Sequence, residues 1–162
     1  MATSSFSISS LPYPFSKKDL KIGISVAEWN SHITGPLLEG GMRILESAGF
    51  SSDQIVVIKV PGAFELPLSA QWLLDNGCDA AICFGCIIRG ETPHFDFVSK
   101  ATTDGILDLA LKSGKPVIFG VLTTNDETQA LERIGGKHGH KGEEAAETAL
   151  WMLALKQHIH SN

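Results

Sequence analysis

The run Gly85 to Phe97, G-C-I-I-R-G-E-T-P-H-F-D-F, holds the groups of this chain best suited to chemistry. Apolar residues, Ala80-Ala81-Ile82-Cys83-Phe84, lead into a loop with a glycine, a hydroxyl and a histidine, and a helical pattern follows. Backbone N–H groups of such a loop and of the helix start can hold an anion. An imidazole, with an ordinary pKa near ~6.5, gives and takes protons near neutral pH. In an open α/β protein, small molecules bind in the crevice beyond the carboxyl ends of strands. The combination points to an enzyme acting on a phosphorylated small molecule.

Gly85-x-x-x-x-Gly90-Glu91-Thr92 has P-loop spacing, but Glu91 stands where a phosphate-binding lysine belongs and would repel a nucleotide's terminal phosphates. A smaller phosphate can still be held by backbone N–H groups around Gly90 to Thr92 and by the Thr92 hydroxyl, the alternative being a plain turn. His94 reads as a proton carrier or as a helix cap, with Arg89 and Asp96 nearby in sequence. Trp29-Asn30 and Pro61-Gly62-Ala63-Phe64-Glu65-Leu66-Pro67 follow two other apolar runs. The Trp29 ring stacks on a flat heterocycle or packs in the core. The Glu65 carboxylate binds ligand hydroxyls or answers a helix dipole.

Two further patterns invite a metal or redox reading. Cys83 and Cys86 have C-x-x-C spacing, but on a strand residues three apart face opposite ways, so these thiols read as buried small hydrophobes. His138, His140, His158 and His160 form i, i+2 pairs without a completing ligand, and read as surface histidines on a loop and a tail. No metal is expected.

These groups need a frame to hold them. Strands are expected over Leu20 to Ala27, Gln54 to Val60, Asp79 to Ile88 and Lys115 to Leu122. Helical spacing runs from Ile33 to Ala48, with Thr34 as cap, Pro36 in the first turn and Gly49 at the exit. Further helices cover Leu66 to Leu74 (stopped by Asn76-Gly77), Phe97 to Lys112 (stopped by Ser113-Gly114), Asp126 to Ile134, and Glu143 to His158. The last stacks Ala146, Ala149, Leu150 and Leu153 on one face. Alternating strands and helices, with strands apolar on both faces, predict a three-layer α/β/α sandwich around a four-stranded parallel sheet, as in flavodoxins. Gly135 to Gly142 reads as a linker.

At 162 residues the chain fits one domain, over residues 19–160, behind a flexible serine-rich leader of residues 1–18. That leader lacks the early positive cluster and apolar core of a secretory signal, and it has no arginine to suggest a transit peptide. A cytoplasmic protein is expected. No apolar run reaches the ~20 residues of a membrane helix. A net charge of −5 argues against a nucleic-acid surface.

With these residues assembled, the chain resembles the lumazine synthase (6,7-dimethyl-8-ribityllumazine synthase) family, from about Leu20 to His158. Five motifs carry the resemblance in order: Trp29-Asn30, P-G-A-F-E-L-P at Pro61, G-C-I-I-R-G-E-T-P-H-F at Gly85, P-V-I-F-G-V-L-T at Pro116, and Q-A-L-E-R-I-G-G-K-H-G-H-K-G at Gln129. The resemblance implies a transferase of riboflavin biosynthesis. It would condense 5-amino-6-ribitylaminouracil with 3,4-dihydroxy-2-butanone 4-phosphate, with no cofactor. It implies that Trp29 stacks on the pyrimidine, Asn30 orients it, and Ala63, Phe64 and Glu65 hold the ribityl chain. Ile87 and Ile88 would line the ring slot, Gly90, Glu91 and Thr92 the phosphate, and His94 would move protons. Phe119 and Arg133 would come from an adjacent subunit, and Lys141 would be a further substrate contact. It also implies a homo-oligomer of pentamers. The absence of a long insertion in Gly135 to Gly142 matches relatives whose twelve pentamers form a sixty-subunit shell. The competing classes are a flavodoxin-like flavin-binding module and a purely structural shell protein. Neither has a use for His94, Arg133 and the phosphate loop together.

Overall fold

The computed structural model describes residues 8–162. Four parallel strands, β1 (Ile22–Ala27), β2 (Ile55–Val60), β3 (Ala80–Ile88) and β4 (Val117–Thr124), form a sheet in the order β2-β1-β3-β4. Helices α1 (Ser31–Ser47) and α5 (Lys141–His160) cover one face, and α2 (Leu66–Asp75) and α3 (His94–Ser113) the other. The expected three-layer α/β/α sandwich, flavodoxin-like, is therefore the fold. Strands β1 and β3 are buried along nearly their whole length, as the apolar runs that encode them require.

Each face of the sheet has its own core. Ile22, Ile24, Ile82 and Phe84 pack against Leu37, Leu45 and Leu150, while Ala81, Cys83 and Val121 pack against Leu66, Leu73 and Ile106. Cys83 and Cys86 fall into opposite cores, as strand alternation demands. Burial pushes the Cys83 thiol up to about 12 and Cys86 to about 11, the latter helped by the Glu127 carboxylate, so both stay protonated. The helices α1 and α5 meet almost backbone to backbone. A Cβ at Gly142 would come within 2.8 Å of the Leu37 carbonyl carbon, and one at Gly41 within 2.8 Å of the Phe84 ring.

Helix stops fall where the sequence marks them, with Gly49, Gly77 and Gly114 all at positive φ. Several boundaries differ from expectation. Helix α1 begins three residues before Thr34, because Asn30 turns left-handed (φ 61°) and its carbonyl takes the N–H groups of Ile33 and Thr34. Thr34 caps nothing; its buried hydroxyl donates to the strand-end carbonyl of Ala27 at 2.7 Å, and Pro36 sits past the first turn. Helix α3 begins at His94 rather than Phe97, since Pro93 supplies a helical φ and its carbonyl accepts from Asp96 and Phe97.

The expected helix from Asp126 to Ile134 is a short α4 (Glu127–Leu131), capped by the Asp126 side chain. The stretch taken for a linker is a tight hairpin, β5 (Ile134–Gly136) with β6 (Gly139–His140), followed directly by α5. His140 is accordingly half-buried rather than a surface histidine, and His158 stacks on Tyr13 at 4.7 Å. Of the leader expected over residues 1–18, the first seven lie outside the described residues. From Ile8 onward the segment lies against the domain: Ile8 and Phe15 pack on the larger core, and Ser16 exchanges two backbone hydrogen bonds with the Gln157 amide. Among the described residues, no helix is long and apolar enough to cross a membrane.

Candidate active site

The chain leaves β1 toward β2 on one side and later returns to β3 on the other, so the carboxyl ends of β1 and β3 bracket the point where strand order reverses. Such a switch point leaves a crevice that no crossover connection fills. Here the crevice is a cavity of about 550 Å³, and ten of the anticipated residues line it: Trp29, Asn30, Ala63, Phe64, Glu65, Ile87, Ile88, Gly90, Thr92 and His94. A larger depression of about 680 Å³, between Phe15 to Lys21 and Ser51 to Gln54, lies at the amino ends of β1 and β2. It gathers none of these groups.

The aromatic wall is built by an extended strand ladder. Glu28 and Trp29 donate to the carbonyls of Val60 and Pro61 at 2.8 and 3.0 Å, continuing the β1–β2 pairing past both strands. This lays the indole on the backbone of Gly62, where a Cβ would come within 2.5 Å of the ring. Trp29 is 68% exposed, which excludes the core-packing alternative. Asn30 ties the ends of β1 and β3 together, its amide donating to the Cys86 carbonyl at 2.9 Å. Glu65 holds its own turn: Oε2 accepts the Gly62 N–H at 3.1 Å. One carboxylate oxygen of Glu65 is therefore engaged in closing the turn that precedes α2.

The opposite wall is the β3–α3 corner. The backbone N–H of His94 donates to the Thr92 hydroxyl at 3.4 Å, and His94 opens a twenty-residue helix whose N-terminal N–H groups and dipole favour an anion at the corner. Asp96, in the first turn, would oppose that anion, but Arg89 reaches its carboxylate at 3.3 Å. Arg89 also donates to Asn125 at 3.2 Å and lies 4.1 Å over the Phe95 ring, bracing the loop from behind.

Sequence reasoning missed four lining residues: Cys86, Phe95, Phe97 and Val98. For two of them the signal was present, because Phe97 and Val98 stand three and four residues after His94 and share its helix face once α3 is known to start there. Four anticipated residues do not line the cavity. Glu91 belongs to the loop but not to the wall. Phe119 and Lys141 line a separate depression of about 430 Å³ along β4 and the start of α5. Arg133 precedes β5 and donates to the Gln129 carbonyl at 2.6 Å. Within one chain these last three stand apart from His94.

Comparison with known proteins gives a single answer. The sequence model of the family described as 6,7-dimethyl-8-ribityllumazine synthase matches residues 19–157. The 6,7-dimethyl-8-ribityllumazine synthase of Cytophaga hutchinsonii is 57% identical over 133 residues, covering 82% of this chain and 84% of that one. The Porphyromonas gingivalis enzyme of the same name is 52% identical over 141 residues, covering 86% and 88%. That of Bdellovibrio bacteriovorus is 46% identical over 140 residues, covering 86% and 77%.

Proposed function

The chain belongs to the 6,7-dimethyl-8-ribityllumazine synthase family, and on that premise we propose that it condenses 5-amino-6-ribitylaminouracil with 3,4-dihydroxy-2-butanone 4-phosphate, releasing phosphate and water. One observation carries the reading: an exposed indole, a carboxylate and the Thr92–His94 corner face a common cavity at the switch point of the sheet. A flat ring, a polyol chain and a phosphate each find a matching wall there.

In this scheme the pyrimidine stacks on Trp29 beside Asn30, with Ile87 and Ile88 lining its slot. Backbone at Ala63 and Phe64, with the free oxygen of Glu65, holds the ribityl hydroxyls. Gly90, Glu91 (through its backbone) and Thr92 receive the phosphate at the α3 N-terminus. The uracil amine attacks the ketone and water is lost to give an imine. Phosphate then leaves, and the resulting enol rearranges before the ring closes. Every step moves a proton and none needs an enzyme nucleophile, so His94 serves as the carrier. Phe119, Arg133 and Lys141, set apart from the cavity in one chain, act at the site of a neighbouring subunit. The enzyme is a cytoplasmic homo-oligomer of pentamers, assembled into a sixty-subunit shell. Light scattering or electron microscopy that finds only free pentamers would remove the shell.

Mixing the two substrates with purified protein and following lumazine fluorescence tests the reaction; a folded protein that forms no lumazine contradicts it. The stacking wall has its own test. Riboflavin, or the lumazine, is expected to bind with quenching of its fluorescence. Trp29→Ala should weaken that binding roughly three- to tenfold, the scale of one aromatic stack. Titration of the native protein without quenching of either ligand would refute the stacking role.

A further inference from the structure

The hairpin that carries Arg133 and Lys141 is anchored by a side chain to which the proposed chemistry assigns no task. His140 ends β6 and occupies the N-cap of α5, where its Nδ1 accepts the Glu143 N–H at 3.4 Å. N-caps are usually Ser, Thr, Asn or Asp. An imidazole can fill that place only through an unprotonated ring nitrogen. The ring is also seated against α1. A Cβ on Gly40 would come within 2.5 Å of its Nδ1, so the absence of a side chain there makes the notch. On its other side the ring reaches the hairpin's first strand, 3.6 Å from where a Cβ of Gly135 would stand.

That anchorage matters because the hairpin cannot hold itself. Its strands have three and two residues, and isolated two-stranded hairpins are marginal in water. Within it, the Lys141 N–H donates to the Arg133 carbonyl at 2.8 Å, so the two cations move as one unit. His140 joins α1, α5 and this unit through a single ring.

We propose that His140 is a positioning residue for the phosphate end of the site: unprotonated, it caps α5 and fills the Gly40 notch, and so fixes where Arg133 and Lys141 are presented. The inference rests on the reading of those two residues as substrate contacts. On protonation, Nδ1 becomes a donor, the cap is lost, and a second cation stands near Arg43.

The charged groups facing the ring are Glu143 and Glu144 of α5 and Arg43 of α1, with Lys141 next in sequence. Burial holds the imidazole below its ordinary value and Arg43 adds to this, while Glu143 and Glu144 pull the other way and are outweighed. Both carboxylates are already paired, Glu143 with Arg43 at 2.9 Å and Glu144 with Lys141 at 2.8 Å, so neither is free to hold a charged ring. With the native group below the unfolded one, the unfolded chain takes up its proton first as the pH falls. The cap's contribution is therefore complete above about pH 6.5 and is lost as the pH drops through the native value.

The full chain and its His140→Asn and His140→Ala forms decide the matter. Asparagine supplies a cap oxygen that does not titrate. Melting temperature is measured from pH 7.5 to 5, and affinity for inorganic phosphate at pH 7.5. The native protein should lose melting temperature toward acid more steeply than His140→Asn. His140→Ala should bind phosphate roughly three- to tenfold more weakly, the range a lost cap allows, with Asn restoring the affinity and riboflavin quenching unchanged in both. Equal acid slopes for the native and Asn proteins would overturn the cap. Native phosphate affinity in His140→Ala would overturn the positioning role. If His140→Ala does not fold, the acid slope of His140→Asn judges the cap, and the positioning role is judged by phosphate affinity at pH 5, which must fall further in the native protein than in His140→Asn. A native protein that binds no phosphate at all would defeat the reading of the site, and with it the positioning role, while the melting profile still judges the cap.

Discussion

His94→Ala is expected to lower kcat about 10²- to 10³-fold while leaving a folded protein that still forms lumazine, the scale set by loss of positioned proton transfer. Two features argue for a partial rather than total loss. The His94 ring belongs to neither core, and the corner it occupies is held by its backbone N–H on the Thr92 hydroxyl, which alanine retains. Holding two reactants side by side also persists without the imidazole, and that effect can rival acid–base catalysis. Single-turnover kinetics with both substrates is the right measurement, because it separates chemistry from product release. Native activity, or complete inactivity in a folded protein that binds both substrates, would each contradict the role given to His94.

Arg133→Ala should carry a cost of similar scale when the phosphorylated substrate is limiting. A buried charge-assisted contact is worth about 2–5 kcal/mol, hence roughly 30- to several-thousand-fold in kcat/KM. The decisive experiment uses its separation from His94 in the single chain. If one site takes His94 from one subunit and Arg133 from the next, two crippled proteins repair each other. An Arg133→Ala subunit still offers its histidine, and a His94→Ala neighbour still offers its arginine. In equal mixtures, co-assembled at random around a symmetric ring, about one site in four is whole. Activity well above the average of the two parents is therefore expected from co-assembled mixtures, and not from the same proteins mixed as preformed oligomers. Co-assembled mixtures no more active than the parental average would place both residues in one subunit's site or remove Arg133 from the chemistry.

The parts of this molecule that could be read from residues were those set by neighbours along the chain. Cys83 and Cys86 were assigned to opposite faces of a strand from their spacing alone, and they lie in opposite cores. Gly49, Gly77 and Gly114 marked helix exits because each takes a positive φ that other residues resist. The misplaced boundaries have equally local causes. Asn30 turned left-handed and moved a helix start back, Pro93 did the same for α3, and a glycine-rich stretch was read as a linker when Gly135 and Gly139 were serving a hairpin. Glycine reports that the backbone needs freedom or closeness, without saying which.

Composition and strand–helix alternation were thus sufficient for the layered fold, because burial on both faces of a strand and the periods of helix and strand act over a few residues. Which side chains share a cavity was decided only in three dimensions. Trp29 meets His94 because the sheet runs β2-β1-β3-β4 and opens at its switch point, and His140 is seated because Gly40 and Gly142 let two distant helices touch. Contacts between segments far apart in the chain depend on the closed packing of the whole core, which no local pattern encodes.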